Sequence, residues 1–385
     1  MPSGLERVWT RVTFLVALVF AVHFPTNAQA PSPSKAMALE QEGKFSAAEE
    51  EWRAWLSTNP QDAAAFASLG VVLSKENKYE DAATAYRKAI ALNPKLPGIQ
   101  LNLGIAQFRQ GKLQAAIAPL RAALAANPQS LQANALLGLC YYGTGQFEEA
   151  SQHLEVASAA DPQNGELHNV LAQSCLSAKK FDCALREFTW IMQRNPDSAS
   201  AHMLLGQALD GLKRTDDAIA EFQLAAKADP PAPNVYFGLG FLHWKTGRYD
   251  EAASYFEKQL AIDPDNPEAL TYLGDVELKR NNFNKALTLL THAVRLRHDL
   301  RFAYLDLGSV YTELHRYDEA LAALEHAEKL DPNQIDVHFR LGTLYKAMGK
   351  SEQAQKEFAK IHALQKKAED DLADRMNRPK QEPKE

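Results

Sequence analysis

The stretch RFAYLDLGSVYTELHRYDEALAALEHAEKLDPNQ, residues 301–334, decides how the chain folds, because its landmarks recur at intervals of 34 residues along almost the whole sequence. The Asp331-Pro332 step near its end is preceded by Asn59-Pro60, Asn93-Pro94, Asn127-Pro128, Asp161-Pro162, Asn195-Pro196, Asp229-Pro230 and Asp263-Pro264. One beat, Arg297-His298, lacks the pair and still falls in register. A period held without slippage from Asn59 to Asp331 means one structural unit copied end to end, since unrelated elements would accumulate loop insertions.

Each unit carries the same internal order. With the proline counted as position 32, position 8 is Gly70, Gly104, Gly138, Gly206, Gly240, Gly274, Gly308 and Gly342, and Ala172 is the exception. A glycine inside a helix costs about 1 kcal/mol relative to alanine, so its recurrence predicts a helix crossing too close for a Cβ. Position 20 is always alanine, from Ala48 to Ala354. Large apolar residues such as Leu307, Tyr317 and Leu324 surround these small ones at helical spacing. Polar breaks such as Gly111-Lys112, Gly145-Gln146, Gly247-Arg248 and Gly349-Lys350 let the chain reverse between two helices, and the proline stops the second helix.

The run Tyr304-x-x-Leu307-Gly308-x-x-Tyr311, followed by Ala320, Leu324, Ala327 and Pro332, resembles the tetratricopeptide repeat (TPR), a helix-turn-helix of the same period. The resemblance implies an all-α, right-handed α-solenoid of about ten units, starting near 29, 63, 97, 131, 165, 199, 233, 267, 301 and 335, with a C-terminal capping helix. The domain reading is a signal peptide over 1–30, a linker over 31–33, the solenoid over 34–376 and a disordered tail over 377–385. The last helix is expected to run past Ile361 through Lys366 to Arg375 and cover the final apolar face. The turn at Arg297-His298, lacking its proline, is expected to be where the array bends.

Arg7 and Arg11 precede the apolar run Val12 to Val22 and the small-residue site Ala28-Gln29-Ala30, which is the anatomy of an export signal cleaved after Ala30. This run of eleven residues, apolar except for Thr13, falls short of the roughly 20 that span a bilayer. Losing Glu6, Arg7 and Arg11 removes a net +1 and takes the formal charge from −6 to −7. A mildly acidic chain argues against nucleic acid as the main partner. No Asn-x-Ser/Thr acceptor occurs, so a bacterial periplasm or exterior is the expected location. Cys175 and Cys183 flank one inter-helix turn at equal distances from Lys179, which leaves two readings open: a disulfide pinning that hairpin, or two small buried thiols. Cys140 is expected to be buried and free.

Catalytic motifs are missing: there is no Gly-x-Ser-x-Gly, no His-Glu-x-x-His and no phosphate-binding glycine loop. No enzyme activity, cofactor or metal is expected. His168 and His202, at equivalent positions of adjacent units with Cys175 two turns along, could be drawn as a metal site, but position 4 is a packing position. In TPR proteins the first helices line a concave surface, and positions 2, 5, 9 and 12 face it. Here that stripe holds Leu101, Ile105, Phe108, Leu139 and Tyr142, then Phe237, Phe241 and Trp244, with the polar Gln173, Gln207 and Asp210 between. These residues are expected to bind protein or peptide partners in two separate regions; the competing reading has them packing against neighbouring first helices. The TPR branch that clamps acidic C-terminal peptides is matched only at Asn102, since Ala67, Val71, Gln132 and Leu136 stand where its polar residues would be. The functional expectation is an exported interaction scaffold; the alternative is a self-associating spacer in a cell-envelope assembly.

Overall fold

The structure, a computed structural model, describes residues 31–377. The expected signal peptide and most of the expected tail lie outside the described residues. Every described element is an α-helix, and two compact units are distinguished, split between Ala123 and Leu124. In the first, α1 (Pro33–Gln41) pairs with α2 (Phe45–Thr58) and α3 (Ala63–Lys75) with α4 (Tyr79–Leu92). Then α5 (Ile99–Arg109) leads into α6 (Leu113–Ala126), whose last turn crosses the boundary.

The second unit holds seven further hairpins. They are α7 (Leu131–Gly143) with α8 (Phe147–Ala160), α9 (Gly165–Ser177) with α10 (Phe181–Met192), α11 (Ala199–Gly211) with α12 (Thr215–Ala228), and α13 (Val235–Lys245) with α14 (Tyr249–Ile262). They continue with α15 (Pro267–Lys279) and α16 (Phe283–Leu296), α17 (Arg301–Glu313) and α18 (Tyr317–Leu330), and α19 (Ile335–Ala347) and α20 (Ser351–Asn377). The solenoid of about ten TPR-type hairpins is therefore present. Among the described residues no helix is long and apolar enough to cross a membrane.

Local chemistry explains why the hairpins repeat. Asp62, Ser130, Asn164, Ser198 and Asn266 cap first helices, each side chain accepting from a backbone N–H three residues on. Position 15 has a positive φ in every hairpin, whether glycine (Gly43, Gly111, Gly145, Gly247, Gly349) or not (Asn77, Lys179, Lys213, Asn281, His315). That left-handed residue ends the first helix and turns the chain into the second. Position 8 meets position 24 of the same hairpin: a Cβ on Gly70 would lie 2.5 Å from the Tyr86 ring, and one on Gly240 2.6 Å from the Phe256 ring. The predicted close crossings are thus real, and each buries one large side chain under a backbone.

Three expectations need comment. Arg297 has an extended backbone, at φ −143°, ψ 113°, close to the −154° and 98° of Asp331, so this residue keeps its conformation without the following proline. Arg297 pairs instead with Glu268 and Asp299. Of the two readings for the cysteines, the structure has the bridge: Cys175 and Cys183 are disulfide-bonded across α9 and α10 with Cα atoms 5.8 Å apart. Cys140 is free and buried, and burial pushes its thiol up to about 11. Finally, α20 does run on unbroken, but it leaves Ile335 exposed and Phe339 55% exposed, since a continuous helix has no turn that would bring its end back over the last hairpin.

Candidate functional site

The first helices of the second unit carry the richest surface. Two proline-bearing turns set it up. Pro233 precedes Asn234, which sits at φ 64°, and Pro97 precedes Gly98 at φ 70°. Proline disfavours helical conformation at the residue before it, and the left-handed residue after it delays the helix. Accordingly α13 and α5 are 11 residues long where the other first helices from α3 to α19 have 13. These shortened helices are the two that present three large apolar residues at positions 5, 9 and 12.

On α13, Phe237, Phe241 and Trp244 are each half-buried and form a ladder, with ring centroids 6.3 Å and 5.9 Å apart at successive steps. Two residues absent from the sequence-derived set complete it. Tyr272 on α15 stands edge-on to Phe241 at 5.4 Å and to Trp244 at 4.9 Å, and Phe302 on α17 reaches Trp244 at 5.9 Å. Aromatic edges and faces attract at these distances, so the ladder is a cohesive cluster rather than separate exposed rings. The competing reading, packing between neighbouring first helices, is partly realised here.

Beneath the rings lie two carboxylates. Asp275 is buried, accepts from the Trp244 indole N–H at 2.6 Å and pairs with Lys279 at 3.0 Å. Asp306 has no exposed surface, and neither of its oxygens finds a hydrogen-bond partner among the described residues. Burial first, and the nearby Asp275 charge second, push its carboxyl well above the usual carboxylate range, while Arg340 and Lys279 pull back.

Beside the ladder, between α11 and α13, is a cavity of about 240 Å³. Met203, Gln207, Asp210, Phe222, Phe237 and Phe241 line it. Gly238 keeps its wall open, since a Cβ there would collide with the Phe222 ring. Gln207 and Asp210, the polar residues between the two apolar stretches, share one hollow with Phe237 and Phe241. Asp210 is itself paired with Lys245 at 2.7 Å.

The remaining sequence-derived residues are less assembled. Leu139 and Tyr142 are half-buried on α7, and the Tyr142 hydroxyl donates to Gln173 of α9. Leu101, Ile105 and Phe108 are half-buried on α5 in the first unit.

The histidines have structural duties. His168 Nδ1 lies 2.6 Å from Glu187 and Nε2 3.3 Å from the Pro162 carbonyl; His202 repeats this with Glu221 at 2.6 Å and Pro196 at 2.9 Å. Each clasps its own hairpin, and Cys175 is bonded elsewhere, so the three do not meet as ligands. The same clasp recurs at His338, Glu357 and Pro332. Glu328 approaches this last one, and Lys360 bridges both glutamates, at 3.3 and 3.1 Å. The signal was legible: positions 4 and 23 hold His and Glu together in three units.

Comparison with known proteins agrees with this architecture. Residues 107–174, 169–233 and 335–366 match family models described as tetratricopeptide repeat, and 72–111 and 308–349 one described as TPR repeat. Residues 245–327 match the model for anaphase-promoting complex, cyclosome, subunit 3. The chain belongs to the TPR family. Similar solved structures include YrrB, described as a TPR protein with an unusual peptide-binding site, at 26% identity over 46% of this chain and 92% of that one, TM-score 0.39. MamA from Desulfovibrio magneticus RS-1 has 24% identity over 44% and 96%, TM-score 0.40. A TPR protein from Parabacteroides merdae ATCC 43184 has 18% identity over 65% and 99%, TM-score 0.44. No curated protein matches.

Proposed function

We propose that this chain is a non-enzymatic scaffold that holds a segment of a partner protein against the first helices of its second unit, outside the cytoplasm. The observation that carries the reading is the half-exposed ladder Phe237, Phe241, Trp244, flanked by a cavity large enough for one apolar side chain and rimmed by Gln207 and Asp210. Aromatic anchors around a small pocket, with a few polar groups at the edge, are what peptide-binding hot spots are made of. Location rests on different support: the basic, apolar and small-residue sequence of 1–30, and a disulfide, a bond that persists in oxidising compartments.

Phe241 is the residue to test. Trp244 also holds Asp275 by a hydrogen bond, so removing it would strand a buried carboxylate, whereas Phe241 makes ring contacts alone. In a pull-down from the native envelope fraction, Phe241→Ala is expected to weaken capture of the partner by about tenfold or more, as loss of one hot-spot ring does. Helicity should be unchanged. Equal capture by the parent and by Phe241→Ala removes the ladder from the site. The intact mass of the protein from that fraction is expected to begin at Pro31; a chain retaining Met1 in the cytosol would remove the exported part of the reading.

A further inference from the structure

We propose that the last hairpin binds a divalent transition-metal ion of the zinc type, held by His338, Glu357 and Glu328. The three residues come from three successive helices: Glu328 from α18, His338 from α19 and Glu357 from α20. One oxygen of each glutamate and a ring nitrogen of the histidine lie within 4.8 Å of one another. His338 is buried, and its Nε2 lies 3.1 Å from the Pro332 carbonyl oxygen. A carbonyl only accepts, so Nε2 carries a proton and donates it. In the neutral ring Nδ1 is then a lone pair, and it faces Glu357 at 2.8 Å and Glu328 at 3.9 Å. A backbone carbonyl that fixes the tautomer from behind is a usual outer partner of a metal-bound histidine.

Spacing and charge both suit zinc. Ligand atoms around a tetrahedral zinc stand about 3.3 Å apart, between the two distances at Nδ1. Two carboxylates and a neutral imidazole carry two negative charges, which one divalent ion neutralises in a largely buried place. A nitrogen ligand favours zinc, cobalt or nickel over magnesium and calcium, which take oxygen. In the absence of an ion Lys360 offsets part of the charge, at 3.3 Å from Glu328 and 3.1 Å from Glu357. Its side chain is 48% exposed, and such bridges contribute about 1 kcal/mol or less, so it can swing into water when a metal arrives. The other two His–Glu clasps lack a third ligand: where Glu328 stands, the units preceding them have Ser158 and Met192. An ion here therefore does what those clasps do not, tying α18 to the hairpin that follows it.

Calorimetric titration of the whole, metal-stripped chain with zinc chloride tests this. One equivalent of zinc is expected to bind, and no magnesium. Glu328→Gln keeps the His338–Glu357 clasp but loses a ligand, and is expected to weaken zinc by about a hundredfold or more, since even an outer partner of a ligand is worth about 10–100-fold. Lys360→Met removes the competing cation and is expected to bind zinc more tightly, whereas Glu221→Gln, in a clasp of two groups, should leave zinc binding unchanged. Thermal unfolding is the check on folding: in chelator the parent and Glu328→Gln should melt together, and zinc should raise the melting temperature of the parent alone. No zinc bound by the parent would show that a second ring proton, and not a metal, joins His338 to Glu357; zinc that binds Glu328→Gln as tightly would place the ion elsewhere. Either result overturns the proposal. Zinc held no more tightly by Lys360→Met than by the parent also overturns it, whatever the stability of Glu328→Gln.

Discussion

At the scale of the residue, Asp306 is the anomaly. A buried charge without a partner is costly, and here Asp275 adds a like charge nearby, so the carboxyl keeps its proton in the fold. A folded pKa raised above the unfolded value means that the stabilising contribution is complete below the unfolded pKa, near 3.8, and is lost as pH rises through the folded value. Asp306→Asn, which cannot ionise, is expected to raise stability at pH 7 by about 1–3 kcal/mol and to make no difference at or below about pH 4. Thermal unfolding at both pH values checks this, and a benefit independent of pH would mean that shape, not charge, is being changed. Asp306 occupies position 6, whose occupants vary from Asn102 to Tyr272, so the repeat pattern gave no sign of it.

At the scale of the element, three hairpins are closed by a His–Glu pair at positions 4 and 23, His168 with Glu187, His202 with Glu221 and His338 with Glu357. His202 and Glu221 fill these places between α11 and α12, while Leu270 and Leu289 fill them between α15 and α16. The two occupancies differ in chemistry: a charged or hydrogen-bonding pair in one hairpin, two aliphatic side chains in the other. His202→Leu leaves Glu221 without its imidazole and is expected to cost about 1 kcal/mol or more, whereas His202→Leu with Glu221→Leu recovers most of that loss. Urea unfolding of these two variants and of Glu221→Leu alone measures the coupling, and additive losses would show that the positions act independently. The shortened α13 and α5 follow from Pro233-Asn234 and Pro97-Gly98, features plain in the sequence. That Tyr272 and Phe302 would lean over Trp244 was not plain, because contacts between successive first helices depend on their spacing and rotation.

At the scale of the whole molecule, a repeat array is held by neighbours, so a local change should stay local. Reducing the Cys175–Cys183 bridge is expected to lower the opening free energy of α9 and α10 by about 2–3 kcal/mol, the value for so short a loop. Hydrogen exchange should quicken there and in the adjoining α8 and α11, with α17 and α18 unaffected; uniform loss of protection along the chain would show that the array unfolds as one body. The period from Asn59 to Asp331, the glycines at position 8 and the alanines at position 20 by themselves determined the family, the hairpins and the close crossings, because these depend on contacts inside one unit of 34 residues. Tertiary structure alone decided that the cysteines are bonded, that Gln207 and Asp210 share a hollow with Phe237 and Phe241, that Asp306 is buried unpaired, and that α20 leaves Phe339 bare. Each of those depends on where a particular side chain meets another helix, in its own hairpin or a neighbouring one, and that meeting is fixed by three-dimensional packing rather than by the position of a residue within the repeat.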